Sequence, residues 1–165
     1  MSVLPEFGQK IADSSIRLPS NLSLELGALV EPLSVALHAS DRARLAPGST
    51  VLVVGAGTVG LLCAALSKAV SEAKVVIADI QEDRVKFAVD NGFADAAVVV
   101  PMKRPDTIEA KLEFAKQVAE LVKSTTLNGQ PLGEVSATYE CTGVETCLQA
   151  SIYVSIAAVK AAAQG

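Results

Sequence analysis

The stretch from Val51 to Asp79, VLVVGAGTVGLLCAALSKAVSEAKVVIAD, leaves few folds open to this chain. Val51 to Val54 is a short, uniformly apolar run bounded by Gly55, the pattern of a strand buried on both faces of a parallel sheet. Gly55 permits a tight turn out of that strand. Gly57 leaves the backbone bare of a Cβ where a pyrophosphate can approach, and Gly60 lets the following helix pack close to the sheet. A helix beginning near Thr58 and Val59 offers unpaired N–H groups and a partial positive charge at its start. Val75 to Ala78 reads as a second strand. Asp79 stands at its carboxyl end, about 20 residues after the loop, where an acid accepts hydrogen bonds from an adenosine ribose. A carboxylate there also repels a 2′-phosphate, so the expected cofactor is NAD rather than NADP. The competing account is a purely structural βαβ unit with a solvated Asp79. Strand, loop, helix, strand and acid in that order favour the dinucleotide.

At 165 residues the chain can hold one domain with a sizeable core, and is too short for a nucleotide domain plus a full substrate domain. Half of the residues are hydrophobic, 4% are aromatic and tryptophan is absent, so the core must come from Val, Leu, Ile and Ala. That composition suits a parallel sheet covered by helices. The net charge of −4 comes without a basic cluster interleaved with aromatics, which argues against nucleic acid as a partner. The start, MSVLPEFGQK, lacks the basic and apolar regions of a signal peptide. No apolar run approaches the roughly 18 residues of a membrane span. Cys63, Cys141 and Cys147 are odd in number and widely spaced, so neither a disulfide framework nor a zinc knuckle is indicated. The expected setting is a reducing cytoplasm.

Along the chain, Met1 to Leu18 reads as an extended lead-in. Ser23 is a candidate N-cap for a short helix through Val30, Glu31 falls at a break, and Pro32 opens a second helix toward Leu45. Pro47 and Gly48 launch the first sheet strand. Gln81 to Asn91 reads as a helix closed by Gly92, Ala96 to Val100 as a third strand, and Pro101 to Pro105 as a loop. Asp106 with Glu109 forms an acid version of a capping box, and the next helix runs to about Lys123 with an apolar stripe of Ile108, Leu112, Ala115, Ala119 and Val122. Ser124 to Gly133 reads as a surface loop, Val135 to Glu140 as a fourth strand, and a last helix begins near Val144. Alternating strands and helices imply right-handed crossovers and a parallel sheet. The fold class is therefore α/β, a Rossmann-type doubly wound sheet, incomplete, in the order 3-2-1-4. The Ala-rich end, through Ala161 to Gly165, supplies no fifth strand.

LSLELGALVEPLSVALHA from Leu22, VLVVGAGTVGLL from Val51 and YECTGVETC from Tyr139 together resemble the zinc-type medium-chain alcohol dehydrogenases, in particular their polyol (sorbitol and xylitol) branch. The resemblance runs from about Leu18 to Tyr153, and its EPLSV string is no part of a general nucleotide fold. It implies an oxidoreductase in which a GroES-like domain carries a catalytic zinc and a Rossmann domain carries NAD. Bound to the alcohol oxygen, the metal favours the alkoxide from which hydride passes to the nicotinamide. Glu31 matches the family glutamate that lies beside the zinc and contacts its water. Otherwise it is an exposed acid just before a helix, where the dipole favours it. Ile80 follows the ribose-binding acid, and Arg84 stands either beside the adenosine or simply on a helix surface. Cys141, Thr142 and Gly143 match the end of the fourth strand, where backbone approaches the cofactor; Cys141 also reads as a small buried hydrophobe. For Cys63 and Cys147 burial is the favoured reading, and His38 lacks a second ligand at metal spacing.

The family's zinc ligands, a cysteine and a Gly-His-Glu motif, match nothing in this sequence, so no metal ligand is expected in it and zinc is implied only for the complete enzyme. AAVKAAAQG also replaces the strands that hold the nicotinamide carboxamide. The expected organisation is a catalytic-domain tail with linking helices over 1–46 and a partial NAD-binding domain over 47–165, the middle of such an enzyme and by itself inactive. The expected partners are NAD and a small polyol, with a homo-oligomeric assembly. The readings from other classes are a non-catalytic nucleotide-binding or interaction module and an S-adenosylmethionine methyltransferase, which shares the glycine loop and the acid but explains neither EPLSV nor ECTG.

Overall fold

The computed structural model describes residues 17–155. The lead-in before Arg17 and the Ala-rich end lie outside them. Contacts separate a unit ending at Glu31 from one beginning at Pro32. In the first, Ser23 caps α1 (Leu24–Ala28) by accepting the Leu26 N–H at 3.3 Å. Gly27 packs so tightly on Leu18 that a Cβ there would lie 2.6 Å from the leucine Cδ1. Helix α2 (Val30–Ala43) starts one residue before Glu31. The break therefore falls at Leu29, the C-cap of α1, and Glu31 lies in the first turn of α2 instead of between the helices.

The second unit is built on four parallel strands: β1 (Thr50–Val54), β2 (Lys74–Asp79), β3 (Ala96–Val99) and β6 (Ala137–Glu140). Their spatial order is β3-β2-β1-β6, which is the order 3-2-1-4 along the sheet. Helices α3 (Thr58–Ser71), α4 (Glu82–Asp90), α5 (Ile108–Ser124) and α6 (Glu145–Val154) connect and cover them.

Alternate residues of each strand point to opposite faces, so one apolar run feeds two cores. Leu52, Val54, Val76 and Ala78 pack on Ala115, Val118 and Val122 of α5 and Val154 of α6. Val51, Val53, Val75 and Ile77 pack on Ala36 of α2, Cys63 and Ala64 of α3 and Ala88 of α4. Leu52 is 1% exposed and Ile77 fully buried, each worth about 1.5–3 kcal/mol of transfer free energy. The unbroken Val, Leu and Ile runs are therefore the physical cause of a sheet covered on both sides.

Two local expectations are corrected around α5. Thr107, not Asp106, is the N-cap: its hydroxyl accepts the Ala110 N–H at 3.2 Å, and the third helical position is an alanine with no side chain to complete a box. The buried stripe is Phe114, Ala115, Val118, Ala119 and Val122, while Ile108 is 69% exposed because the first turns of α5 run beyond the core. Ser124 to Gly133 is more ordered than a plain loop. Strands β4 (Thr126–Leu127) and β5 (Gln130–Pro131) form an antiparallel hairpin turned by Asn128 and Gly129 at φ 53° and 79°, the left-handed pair of a type I′ turn. Among the described residues no helix is long and apolar enough to cross a membrane.

Candidate functional site

The glycine loop joins the carboxyl end of β1 to α3. Gly55 has φ +103° and donates its N–H to the Ala78 carbonyl at 2.7 Å, tying the turn to β2. A Cβ on Gly55 would also press on the β6 end, 3.0 Å from the Thr142 methyl. Gly60 is buried, and a Cβ there would collide with the Gly55 carbonyl oxygen and lie 3.3 Å from Val53 Cγ1. Helix α3 thus starts against the strand it leaves. Gly57 differs from both. It is the N-cap of α3 with ordinary extended backbone, φ −82°, and a Cβ on it would meet nothing within 4 Å. No side chain caps this helix, so its first N–H groups, near Thr58 and Val59, are left for something else to satisfy.

Asp79 ends β2 half-buried, and the register Val54↔Ala78 sets it one residue past the end of β1. Its Oδ2 accepts the Ala56 N–H at 2.7 Å and its Oδ1 accepts the Gln81 N–H at 2.9 Å. The acid therefore clamps the middle of the glycine loop. A carboxylate has about four lone-pair positions, so acceptor capacity remains on both oxygens.

Beside the loop, on the other flank of β1, Glu140 ends β6. Its carboxylate accepts the N–H groups of Thr142 at 2.8 Å and Gly143 at 3.1 Å, and the Thr142 hydroxyl as well. Cys141 donates its N–H to the Val54 carbonyl at 2.8 Å. Its thiol meets that of buried Cys63: the contact, followed by burial, pushes Cys141 above the ordinary thiol range, while the same contact, opposed by burial, pulls Cys63 down from it. Burial pushes Cys147 up too.

A cavity of about 420 Å³ opens at the carboxyl edge of the sheet and brings together Gly57, Asp79, Ile80, Arg84, Cys141 and Thr142 of the residues expected from sequence. Gly55 and Gly60 shape the loop behind it, and Gly143 holds the β6 turn at φ +68°. Glu31, exposed in the first unit, is described apart from this cavity. Three features had no sequence signal of their own: the Asp79–Ala56 bond, the Glu140 clamp, and the loop after β3, whose Lys103 and Arg104 line the cavity with Phe114 of α5. Among the described residues no three His, Cys, Asp or Glu side chains come together as a metal site, and His38 is exposed on α2. A catalytic zinc does not fit the groups described.

No family model matches the chain. Among curated proteins it is 38% identical over 152 residues to the sorbitol dehydrogenase of Ovis aries, a match covering 92% of this chain and 38% of that protein. It is 50% identical over 86 residues to a protein of Neosartorya fischeri assigned as D-xylulose reductase A, covering 52% of this chain and 22% of that one. A solved chain from Sinorhizobium meliloti, assigned as a zinc-binding dehydrogenase and bound to NADP, superposes with a TM-score of 0.66 at 26% identity, over 85% of this chain and 36% of its own.

The chain belongs to the zinc-type medium-chain dehydrogenases, on their polyol branch. The zinc-type dehydrogenases are oxidoreductases, and a nicotinamide cofactor and zinc go with them at the level of the family. This member spans about 38% of the length of the Ovis aries sorbitol dehydrogenase. Within that span lie the glycine loop, Asp79 and the cavity between them.

Proposed function

We propose that this chain holds the adenosine and pyrophosphate half of NAD for a zinc-dependent polyol dehydrogenase, which transfers hydride between a polyol and the nicotinamide. The observation that carries the reading is Asp79, fixed by the Ala56 N–H at 2.7 Å on the wall of the cavity that Gly57 also lines. In this reading the pyrophosphate lies over Gly57 and the N–H groups of Thr58 and Val59, where the protein offers no partner and a Cβ would fill open space. Asp79 accepts the ribose hydroxyls, Ile80 and Arg84 flank the adenosine, and the backbone from Cys141 to Gly143 faces the next part of the cofactor. Asp79 makes NAD the preferred cofactor.

Residues 1–46 then read as the end of a catalytic domain with its linking helices, and 47–165 as a partial NAD-binding domain. Glu31 is assigned to the surroundings of the metal's water through the family resemblance. By itself the chain binds NAD no more tightly than roughly 0.1 to 1 mM, because only part of the cofactor is gripped, and it does not oxidise polyol. Calorimetric titration with NAD and NADP tests the cofactor assignment. Metal analysis and a polyol oxidation assay test the rest. One tightly held zinc per chain, or NADH formation from sorbitol, would overturn the division of labour proposed here.

A further inference from the structure

Two thiols from distant parts of the sequence meet beside the glycine turn. Cys141 follows Tyr139 of β6 by two residues, so both side chains leave the sheet on the same face, where Tyr139 is buried among the residues that α3 covers. The Cys141 N–H on the Val54 carbonyl, at 2.8 Å, fixes this strand end beside β1. Helix α3 packs on that face because Gly60 lets it sit against Val53, and Cys63 lies three residues further along the same side of the helix. Cys63 is 1% exposed there, and Cys141 packs against the same cluster. The two sulfurs are in contact.

The partners differ in access. Cys141 is half-buried and lines the cavity of about 420 Å³ at the sheet edge, whereas Cys63 is enclosed by the core. A small oxidant entering the cavity therefore meets Cys141 first. Contact with Cys141 draws the Cys63 thiol down from the ordinary range, which favours the deprotonated form that attacks a neighbouring sulfur. Cys147 also borders the cavity, but it comes from α6 and packs into the core on the opposite face of the sheet, with Leu52 and Val54. Among the described residues, Cys63 and Cys141 are thus the pair placed to join.

We propose that Cys63 and Cys141 form a reversible disulfide when hydrogen peroxide enters the cavity, clasping α3 to β6 across the glycine turn. The Cys141 sulfur attacks one peroxide oxygen: an S–O bond forms, the O–O bond breaks, and the departing hydroxide leaves with the thiol proton as water. Cys141 is then a sulfenic acid, oxidised by two electrons that reduce the peroxide. The Cys63 sulfur attacks that of Cys141, the S–S bond forms, the S–O bond breaks, and hydroxide leaves with the Cys63 proton as a second water. A dithiol reductant reverses the bond. The link ties down Gly55, whose Cβ position lies 3.3 Å from the Cys141 carbonyl, and it forms whatever the cavity binds.

The test treats the full chain with hydrogen peroxide under native conditions, blocks the remaining thiols with iodoacetamide and maps the tryptic peptides by mass. Peptide 45–68, which holds Cys63, should be joined to peptide 124–160, which holds Cys141, with the loss of two hydrogens, and dithiothreitol should part them. This map of the unsubstituted chain needs no variant to fold. Cys147→Ser should leave the joined pair intact. Cys63→Ser should abolish it and leave Cys141 as a sulfenic acid that dimedone traps. The oxidised chain should also unfold at a higher urea concentration than the reduced chain, because the link restricts the unfolded state. Three free thiols after native oxidation, a bond to Cys147, a link between two chains, or an oxidised chain with an unchanged or lower urea midpoint would overturn the clasp.

Discussion

The side chain of Asp79 accepts the backbone N–H of Ala56 at 2.7 Å across 23 residues of sequence. One carboxylate thus holds the glycine loop to β2 and stands where the proposed cofactor's ribose is read. Its two jobs can be separated by mutation. Asp79→Ala removes both, and NAD should bind about 1 to 3 kcal/mol more weakly, the range for lost hydrogen bonds to a charged acceptor. NADP should lose less, because a like charge beside its phosphate disappears too. Asp79→Asn keeps one acceptor for Ala56 and should lie between. Comparable losses for NAD and NADP in the alanine variant would remove the specificity claim.

Gly57 and Gly60 should respond in opposite ways. Gly60→Ala forces a Cβ onto the Gly55 carbonyl, a backbone atom that cannot swing aside. Overpacking of that kind costs about 1–3 kcal/mol. It should appear as a lower urea midpoint. Gly57→Ala meets no protein atom and should cost under about 1 kcal/mol as an N-cap change, yet weaken dinucleotide binding clearly. Unaltered NAD affinity in Gly57→Ala would mean that no pyrophosphate lies over that residue.

Glu140 should act on the loop it clamps rather than on the core. Glu140→Ala leaves the Thr142 and Gly143 N–H groups without their acceptor. Hydrogen exchange at those two amides should quicken in the folded state, while the amides of β1 keep their protection. Uniform loss of protection would instead mark Glu140 as a global stabiliser.

The thiols predict an alkaline loss of stability. Burial holds Cys147 protonated above the ordinary thiol range, and Cys141 is held up by the Cys63 thiol and by burial. An acid whose folded pKa is raised releases its proton first in the unfolded chain, so stability is intact below the ordinary thiol pKa of about 8.5 and declines above it. Cys63, shifted down, opposes part of this decline. Urea midpoints measured from about pH 8 to about pH 10 should fall, and Cys147→Ser should flatten the fall. An identical slope in that variant would exclude Cys147 as a contributor.

Among the described residues β6 pairs with β1 alone, leaving its other edge without a strand. Unpaired strand edges invite association. Sedimentation across a wide concentration range should therefore show self-association, and a lysine at Thr138 should weaken it. A single monomeric species throughout would count against the edge as an interface.

The glycine loop, the strand order and Asp79 could be read from the sequence because each rests on local chemistry: β-branched runs, glycines at fixed spacing, and an acid at a strand end. The features that escaped depend on pairing between distant strands. Ala56 has no side chain to announce its bond to Asp79, and Lys103 and Arg104 meet the cavity only because β3 lies beside β2. Other differences were nearer at hand. Thr107 and Asp106 are both competent caps one residue apart, so composition alone does not choose between them. The Asn128-Gly129 pair is a hairpin signal, but strands of two residues each give no alternation to support it. Ile108 fits the helical period and is still exposed, because periodicity says which face is apolar and not where the core ends.

In the proposed cofactor reading, the two bonds of Asp79 tie cofactor choice to the shape of the glycine loop. Replacing the acid is the shortest route to a chain that favours the phosphorylated dinucleotide, yet here the replacement also unties Ala56 and loosens the turn that every dinucleotide must use.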